Sequence, residues 1–245
     1  MYSIFRQKTR LHELIPDGYV DIHSHLLPGI DDGAETIEET KELLERLTNL
    51  GFSACITTPH INTGVWNNNP TIIRDNYQQT LLNLHSTQQQ TLFHCASEYM
   101  LNDAFIQILS TEHLMTLKDN YVLVELSYVN PPLALKEIIF EIKQKGYQPV
   151  LAHPERYNYY HQNPKIYDEL KNSGVLFQLN LLSTIGYYGP GVAKTADLLL
   201  KCENIDFVGS DIHHTRHLEA FQKSLIISSE KQLQIAMSKN ALFGP

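Results

Sequence analysis

Seven short apolar segments recur along the chain, and each is followed by a stretch with helical periodicity. The segments are YVDIHSH, FSACITT, TLFHCASEY, YVLVELS, QPVLAHPE, GVLFQLNLL and IDFVGSDIH. Their nearly continuous apolar content is typical of strands buried on both faces, as in parallel sheets. Strand–helix alternation repeated seven times predicts an α/β fold with a closed or nearly closed (β/α) barrel. A doubly wound open sheet is the alternative.

Capping residues indicate where the intervening helices begin and end. The segment Thr36–Glu39 has the pattern of a capping box, and Gly51 follows the helix as a stop signal. Asn102 is a candidate N-cap for a later, short helix. We expect the last helix to run from about Leu218 to the C-terminus, with a break near Ser228–Ser229.

Composition restricts the class of protein. The 245 residues carry a formal net charge of −8 without a broad basic stretch, which argues against nucleic-acid binding. Cys55, Cys95 and Cys202 are isolated from one another, as is typical of a reducing compartment. Residues 1–18 lack the apolar core of a signal peptide, and no segment resembles a membrane span. We therefore expect a cytoplasmic protein without membrane insertion, with an N-terminal extension (1–18) and one domain (19–245).

Ionisable side chains end six of the seven candidate strands. In parallel β/α folds the carboxyl ends of the strands open on one face, where catalytic groups collect. A carboxylate such as Glu125, at the end of a strongly apolar strand, costs on the order of several kcal/mol unless it is paired or bound to a metal. Imidazoles and carboxylates together suit borderline divalent ions such as Zn²⁺, Mn²⁺ or Fe²⁺. The polar strand ends are His23 with His25, Thr58 with His60, Glu98, Glu125, His153, Asn180, and Asp211 with His213.

Four motifs in order, DIHSH, TTPH, AHPER and SDIHH, resemble those of the PHP (polymerase and histidinol phosphatase) superfamily. The extended DIHSHLLPGIDDG, with CASEY, VLVELS and LAHPERY, is similar to its capsule-regulating protein-tyrosine-phosphatase branch, over about residues 19–243. The resemblance implies a distorted seven-stranded (β/α) barrel of PHP type that holds three divalent ions. Manganese is the expected metal, with iron or zinc as alternatives.

The resemblance also implies which side chains bind these ions. The expected ligands are His23, His25, Asp211 and a bridging Glu98 for the first ion, Glu98, Glu125 and His153 for the second, and Asp32, His60 and His213 for the third. The histidinol-phosphatase branch usually has histidine at the positions of Asp32 and Glu125, which favours the tyrosine-phosphatase branch. The choice of Asp32 over Asp31 rests on the match of the DDG triplet. Four of the nine ligands are carboxylates, so three divalent ions leave a net charge of +2, which suits a phosphate monoester dianion.

The expected reaction is hydrolysis of phosphotyrosine by direct attack of a metal-bridging hydroxide on phosphorus, without a covalent intermediate. Arg156 and Arg216 adjoin the ligand motifs and are candidates to bind the phosphate oxygens, with ordinary surface charge as the alternative. Tyrosinate has a parent pKa of roughly 10, so its departure depends less on a general acid than that of an aliphatic alkoxide. His60, His214 or a metal-bound water are candidates for that acid.

The segment HCASEYML begins like the loop of cysteine-dependent phosphatases. Leu101 stands where that loop carries its arginine, so no guanidinium would bind phosphate beside Cys95. We therefore reject a thiolate mechanism and expect Glu98, within the same segment, to be the essential residue.

Three other functions remain open from the sequence. A PHP-type phosphatase of histidinol phosphate or another small phosphomonoester would share the metal ligands. A metal-dependent amidohydrolase commonly carries a lysine at a strand end, which this chain lacks. A catalytically silent metal-binding or scaffold module is the third. The favoured function implies, by the resemblance, a partner: the phosphotyrosine-containing tail of a bacterial tyrosine autokinase of capsular polysaccharide or exopolysaccharide export.

Overall fold

The computed structural model of the chain describes residues 8–84 and 92–244. The strands are β1 Tyr19–Asp21, β2 Phe52–Thr57, β3 His60–Ile61, β4 Leu92–Cys95, β5 Glu98–Met100, β6 Tyr121–Glu125, β7 Gln148–Ala152, β8 Leu176–Asn180 and β9 Phe207–Gly209. The α-helices are α1 Ile37–Asn49, α2 Pro70–Leu84, α3 Asp103–Thr111, α4 Leu135–Gln144, α5 Lys165–Asn172, α6 Pro190–Lys201, α7 Thr215–Ala220 and α8 Glu230–Lys239.

These strands pair in parallel and follow one another in chain order around the fold. One sheet has the order β1-β2-β4, and the other has the order β3-β5-β6-β7-β8-β9. Two of the seven predicted segments are each divided into two short strands, at Thr58–Pro59 and at Ala96–Ser97. Backbone bonds continue across these interruptions, because Ala96 N donates to Thr57 O at 2.8 Å. The divided segments join the two sheets.

The first and last segments lie side by side beyond β1 and β9. Ser24 and Ile212 form a parallel bridge. His25 N donates to Ile212 O at 2.8 Å, and Asp211 N donates to His23 O at 2.7 Å. These bonds complete a distorted ring of seven strand segments, which confirms the predicted α/β fold with parallel strands.

The predicted caps at Thr36, Asn102 and Gly51 are confirmed, but the capping box forms only in part, because the Glu39 carboxylate accepts from Glu35 N at 2.7 Å rather than from Thr36 N. The Thr36 side chain accepts a hydrogen bond from Glu39 N at 3.2 Å, and Asn102 Oδ1 accepts one from Phe105 N at 3.1 Å. Gly51 has a φ of +97°, a left-handed conformation that glycine adopts without steric cost. Local chemistry therefore determines these helix ends.

The prediction for the last helix was wrong in extent. The helical pattern is interrupted over the whole of 221–229, between α7 and α8, rather than only near Ser228–Ser229. The backbone of this segment bonds elsewhere: Leu225 N donates to Thr9 O and Ile226 N to Thr184 O, both at 2.9 Å. Tertiary hydrogen bonds replace those of a helix here.

Part of the predicted N-terminal extension packs against the rest of the chain. Leu11 and Leu14 are buried in the main hydrophobic core, and Leu11 N donates to Lys223 O at 3.0 Å. Residues 1–7 lie outside the described residues, and the boundary at residue 18 stays a prediction. Within the described part of the chain, no helix has both the length and the apolar composition that a membrane crossing requires.

Candidate metal centre

The nine predicted ligands meet on one side of the fold, where most of them end or follow a strand. His60 and Glu98, which were expected at strand ends, are instead the first residues of β3 and β5, because the two segments that carry them are divided. Four groups of them have potential ligand atoms within 4.8 Å of one another, and each of the nine belongs to at least one group. The groups are His25, Asp32, His60 and His213; His23, Glu98 and His153; His23, His25 and Asp211; and His60, Glu98 and Glu125. Side chains that span 190 residues of sequence thus face one small volume.

Glu98 lies at the centre of the cluster and is fully buried. Its Oε1 lies 3.2 Å from His153 Nε2. Its Oε2 lies 3.4 Å from His23 Nε2, 3.6 Å from His25 Nε2 and 3.1 Å from His60 Nδ1. Within the described residues, Oε2 has no hydrogen-bond partner. A buried carboxylate oxygen in this position is costly unless a cation compensates its charge.

His23 and His25 turn their Nε2 atoms toward each other and toward Asp211. The two Nε2 atoms are 3.3 Å apart, and Asp211 Oδ1 is 3.3 Å from that of His23 and 3.6 Å from that of His25. Their Nδ1 atoms lie 2.7 Å from Gln178 Oε1 and Asp31 Oδ2, respectively. Since both of these oxygens are acceptors, each Nδ1 carries a proton, and each Nε2 faces the cluster, where it could bind a cation in place of a second proton.

The adjacent aspartates Asp31 and Asp32 have different surroundings. Asp32 Oδ1 lies 3.3 Å from His60 Nε2 and 3.5 Å from His213 Nε2. Asp31 instead holds His25 and accepts a hydrogen bond from Gly33 N at 2.9 Å. Asp32 therefore faces the cluster, while Asp31 orients one of its histidines and shapes the turn.

Two members of the cluster have strained backbones. His153 has a φ of +37° and Asp211 a φ of +52°, a region that residues other than glycine rarely occupy. Such strain persists only where the surrounding structure enforces it, and it concentrates at functional sites. In this protein it turns both side chains toward Glu98 and His23.

The pKa shifts reflect an excess of carboxylates over cations. Burial alone would lower the pKa of His23, but Glu98 and Asp211 outweigh burial and raise that pKa to about 10. Burial and the nearby charge of Glu98 raise the pKa of Glu125 to about 7. The cluster thus stabilises added positive charge, which divalent ions would supply.

Arg156 is held rigidly beside the cluster. Its Nη1 donates to Asp211 Oδ2 at 2.7 Å, and its guanidinium carbon lies 4.9 Å and 4.0 Å from the ring centroids of Tyr128 and Tyr188. Asn180 Nδ2 also donates to Asp211 Oδ2, at 2.7 Å. One oxygen of Asp211 is therefore engaged by protein donors, and the other is turned toward the histidines.

The remaining predicted catalytic residues differ in position. Both ring nitrogens of His60 face carboxylates, which favours a ligand role over that of a general acid. Arg216 is exposed on α7, and within residues 8–84 and 92–244 it makes no ion pair with any of the nine ligands. Burial raises the pKa of the Cys95 thiol to about 12, which agrees with the rejection of a thiolate mechanism.

Sequence reasoning missed Gln178, Tyr128 and Tyr188, which position His23 and Arg156. Gln178 lies two residues before Asn180 in β8, so its side chain shares the inward side of the strand. That alternation is the one signal that identifies it. The two tyrosines lie in loops without a comparable periodicity.

Comparisons of the sequence with known proteins point to one family. A family model described as capsular polysaccharide synthesis, CpsB/CapC, matches residues 19–234. The chain is 29% identical over 229 residues to the tyrosine-protein phosphatase YwqE of Bacillus subtilis, covering 91% of this chain and 89% of that protein. It is 28% identical over 202 residues to the tyrosine-protein phosphatase CpsB of Streptococcus pneumoniae, covering 80% and 83%.

Solved structures agree with these matches. The fold superimposes with a TM-score of 0.77 and 27% identity on a structure from work on YwqE of Bacillus subtilis and CpsB of Streptococcus pneumoniae, described as metal-dependent tyrosine phosphatases. The match covers 90% of this chain and 86% of that one. Histidinol phosphate phosphatase of Lactococcus lactis matches with a TM-score of 0.57 and 11% identity, over 92% and 94% of the two chains. The second similarity concerns the fold alone.

Proposed function

The chain belongs to the CpsB/CapC family of capsular polysaccharide synthesis proteins, and from this premise we propose that it is a metal-dependent protein-tyrosine phosphatase. The observation that carries the proposal is the buried Glu98 Oε2, which lies within 3.6 Å of three imidazole nitrogens without a hydrogen-bond partner among the described residues. An oxygen so placed is suited to bridge two cations. The relatives YwqE and CpsB carry the name tyrosine-protein phosphatase.

The donor set fits three divalent ions. As the family resemblance implies, we assign His23, His25 and Asp211 to the first, Glu125 and His153 to the second, and Asp32, His60 and His213 to the third, and Glu98 would serve the first two. Proximity supports the first and third sets, while Glu125 is grouped with His60 and Glu98, and His153 with His23 and Glu98. Five imidazoles beside four carboxylates suit Mn²⁺, with iron or Zn²⁺ as alternatives. When bound, such ions lower the pKa of water and offset the charge of a phosphate group.

The chain's own residues would bind and orient the phosphate group, and water rather than a side chain would be the nucleophile. Arg156 is fixed by Asp211 and by two tyrosine rings, so its guanidinium can bind phosphate oxygens with little loss of side-chain entropy. Arg216, exposed on α7, would have to approach when substrate binds. Cys95 is unsuited as a nucleophile because its thiol stays protonated at neutral pH. We therefore favour direct hydrolysis without a covalent intermediate.

The proposed substrate is the phosphotyrosine-containing tail of a bacterial tyrosine autokinase of capsular polysaccharide or exopolysaccharide export. Membership in a capsular polysaccharide synthesis family supports this choice. We also propose a cytoplasmic location, because the three isolated cysteines are typical of a reducing compartment.

The experiment measures phosphate release by purified protein from phosphotyrosine and from histidinol phosphate, before and after chelation and after adding back Mn²⁺, Fe²⁺ or Zn²⁺. We expect activity on phosphotyrosine that chelation abolishes and at least one ion restores, with elemental analysis approaching three ions per chain. Preferred hydrolysis of histidinol phosphate, or activity that survives chelation, would contradict the proposal.

A further inference from the structure

A groove beside the candidate metal centre has the position and chemistry of a peptide-binding site. We propose that it binds the uncharged, extended polypeptide segment that adjoins the phosphotyrosine of a protein substrate. The groove lies between the ends of β3, β5 and β6 and the start of α4, with a volume of about 520 Å³. This inference rests on the proposed phosphatase function and adds the surface that recognises the protein part of the substrate.

The groove begins where the metal cluster ends. Three of its lining residues each follow a proposed metal ligand by two positions: Asn62 after His60, Met100 after Glu98 and Ser127 after Glu125. Met100 lies in β5 on the same side as Glu98 and is paired with Glu125 of β6, and Leu101 N donates to Glu125 O at 2.9 Å. Asn62 and Ser127 lie in the connections just beyond β3 and β6. The groove is therefore the outward continuation of the face that carries the ligands.

The loop that follows β6 forms one wall and is anchored to the cluster. The Tyr128 ring stacks on the His153 ring, with centroids 5.8 Å apart and planes 21° apart. The Tyr159 hydroxyl donates to Ser127 O at 2.9 Å. Because both contacts fix the loop, the groove is formed before any substrate binds, which lowers the entropic cost of binding.

The lining suits a neutral peptide. It combines apolar side chains such as Leu101, Pro132 and Leu133 with three asparagines, and Asp103 is the one charged residue among those that line it. Asparagine amides both donate and accept hydrogen bonds, as the N–H and C=O groups of an extended peptide require. A strongly acidic or basic segment would find little complementary charge here.

Exposed apolar side chains mark the rim. Val129 is 82% exposed and Leu133 fully exposed, and both belong to the short connection between β6 and α4. Leu133 lines the groove, and Val129 directly precedes Asn130, which also lines it. Exposed apolar groups beside a cleft are typical of binding surfaces. Because the groove adjoins proposed metal ligands and its lining is largely uncharged, we assign the surface to the substrate.

The test compares a phosphotyrosine peptide, flanked by leucine, alanine and glycine, with free phosphotyrosine. Both lose the same tyrosinate, so the ratio of their kcat/KM values reports contacts with the flanking residues alone. We expect the double variant Val129→Ala/Leu133→Ala to lower this ratio about tenfold, mainly through KM for the peptide, because two apolar contacts lose most of their area. The matched control Leu82→Ala/Ile235→Ala, at exposed apolar positions of α2 and α8, should leave the ratio unchanged.

The other possible results of this experiment each contradict either the docking site or the phosphatase function. An unchanged ratio in the Val129/Leu133 variant overturns the docking site while the phosphatase function stands. If the ratio is unchanged but the molar mass in light scattering falls relative to the wild type, the surface instead binds a second copy. If the wild-type protein hydrolyses neither substrate with Mn²⁺, Fe²⁺ or Zn²⁺, the phosphatase function fails and this surface fails with it.

Discussion

Two buried polar clusters lie at opposite ends of β1 and β9, and they differ in how far the protein satisfies them. At the amino ends, the fully buried Asn240 accepts a hydrogen bond from Val208 N at 3.1 Å and donates to Val20 O at 2.8 Å. It also donates to Val208 O at 2.6 Å. Protein groups therefore use both its donors and its acceptor, and Asn240 joins the first and last strands.

Beyond the carboxyl ends of the same strands, in the metal cluster, polar atoms contributed by other strands and loops have no partner within the described residues. Glu98 Oε2, His60 Nδ1 and His153 Nδ1 are buried and lack hydrogen bonds within the described part of the chain. Unsatisfied buried polar atoms destabilise a fold, so their concentration at one end requires a functional reason. A buried polar cluster whose hydrogen bonds are all made by the protein indicates a structural role. A cluster with unpartnered polar atoms indicates a ligand-binding site.

Replacing Glu98 tests the functional end most severely. We expect Glu98→Gln to lower kcat/KM on phosphotyrosine about a thousandfold, because it removes a charge and a bridging oxygen from the proposed metal site. The unfolding free energy of the metal-free protein should also fall, because the buried imidazoles of His23 and His60 pair with the Glu98 carboxylate and hold its pKa well below the usual value. Kinetics and thermal unfolding after chelation measure the two effects. Full activity of the variant would show that Glu98 binds no essential ion.

Replacing Asn240 tests the structural end. We expect Asn240→Ala to lower the unfolding free energy by about 2 kcal/mol, because it leaves the backbone groups of Val208 and Val20 without partners. At temperatures where the variant remains folded, kcat/KM should change less than about twofold. Urea unfolding and steady-state kinetics give both values. A large loss of activity without loss of stability would break the contrast between the two ends.

Asp197 provides a second satisfied group, and pH tests it. Burial raises its pKa, but bonds from Lys201 Nζ at 2.7 Å and Ser229 Oγ at 2.6 Å outweigh burial and hold the pKa below its usual value. A lowered folded-state pKa stabilises the protein above the unfolded-state pKa, and this contribution is lost as pH falls through the folded-state value. We therefore expect Asp197→Asn to cost about 1 kcal/mol at pH 7.

The difference between Asp197→Asn and the wild type should shrink as pH falls below about 4. Urea unfolding of both proteins over this range provides the measurement. A destabilisation that is constant with pH would mean that the charge of Asp197 contributes nothing.

Cys95 gives the smallest expected effect. Its thiol lies beside the cluster in sequence, but burial raises its pKa to about 12. We expect Cys95→Ser to retain kcat/KM within about twofold and to keep the same dependence on added metal. A variant that binds metal normally but has lost activity would restore the thiolate mechanism to consideration.

The sequence alone was sufficient to predict the alternation of strands and helices and the residues that gather at the carboxyl ends. Glu125 was recognisable because a carboxylate that ends a strongly apolar strand is costly unless it is paired or bound to a metal. Parallel strands all end on one face, so identifying the fold also placed these groups together. The family motifs then divided them into ligand sets.

Only the tertiary structure identified the functional roles of residues whose burial is not energetically unfavourable. Gln178 and Tyr188 are neutral and occur in many environments, so only packing shows that they hold His23 and Arg156. The DDG triplet is compatible with either aspartate as a ligand, and the direction of the turn places Asp32 toward His60. The long break before α8 depends on hydrogen bonds to distant backbone, which no local pattern encodes. The sequence thus predicts functional residues whose burial would be energetically unfavourable without a partner. Contacts between neutral residues cannot be predicted in this way, because they depend on which distant residues the fold brings together.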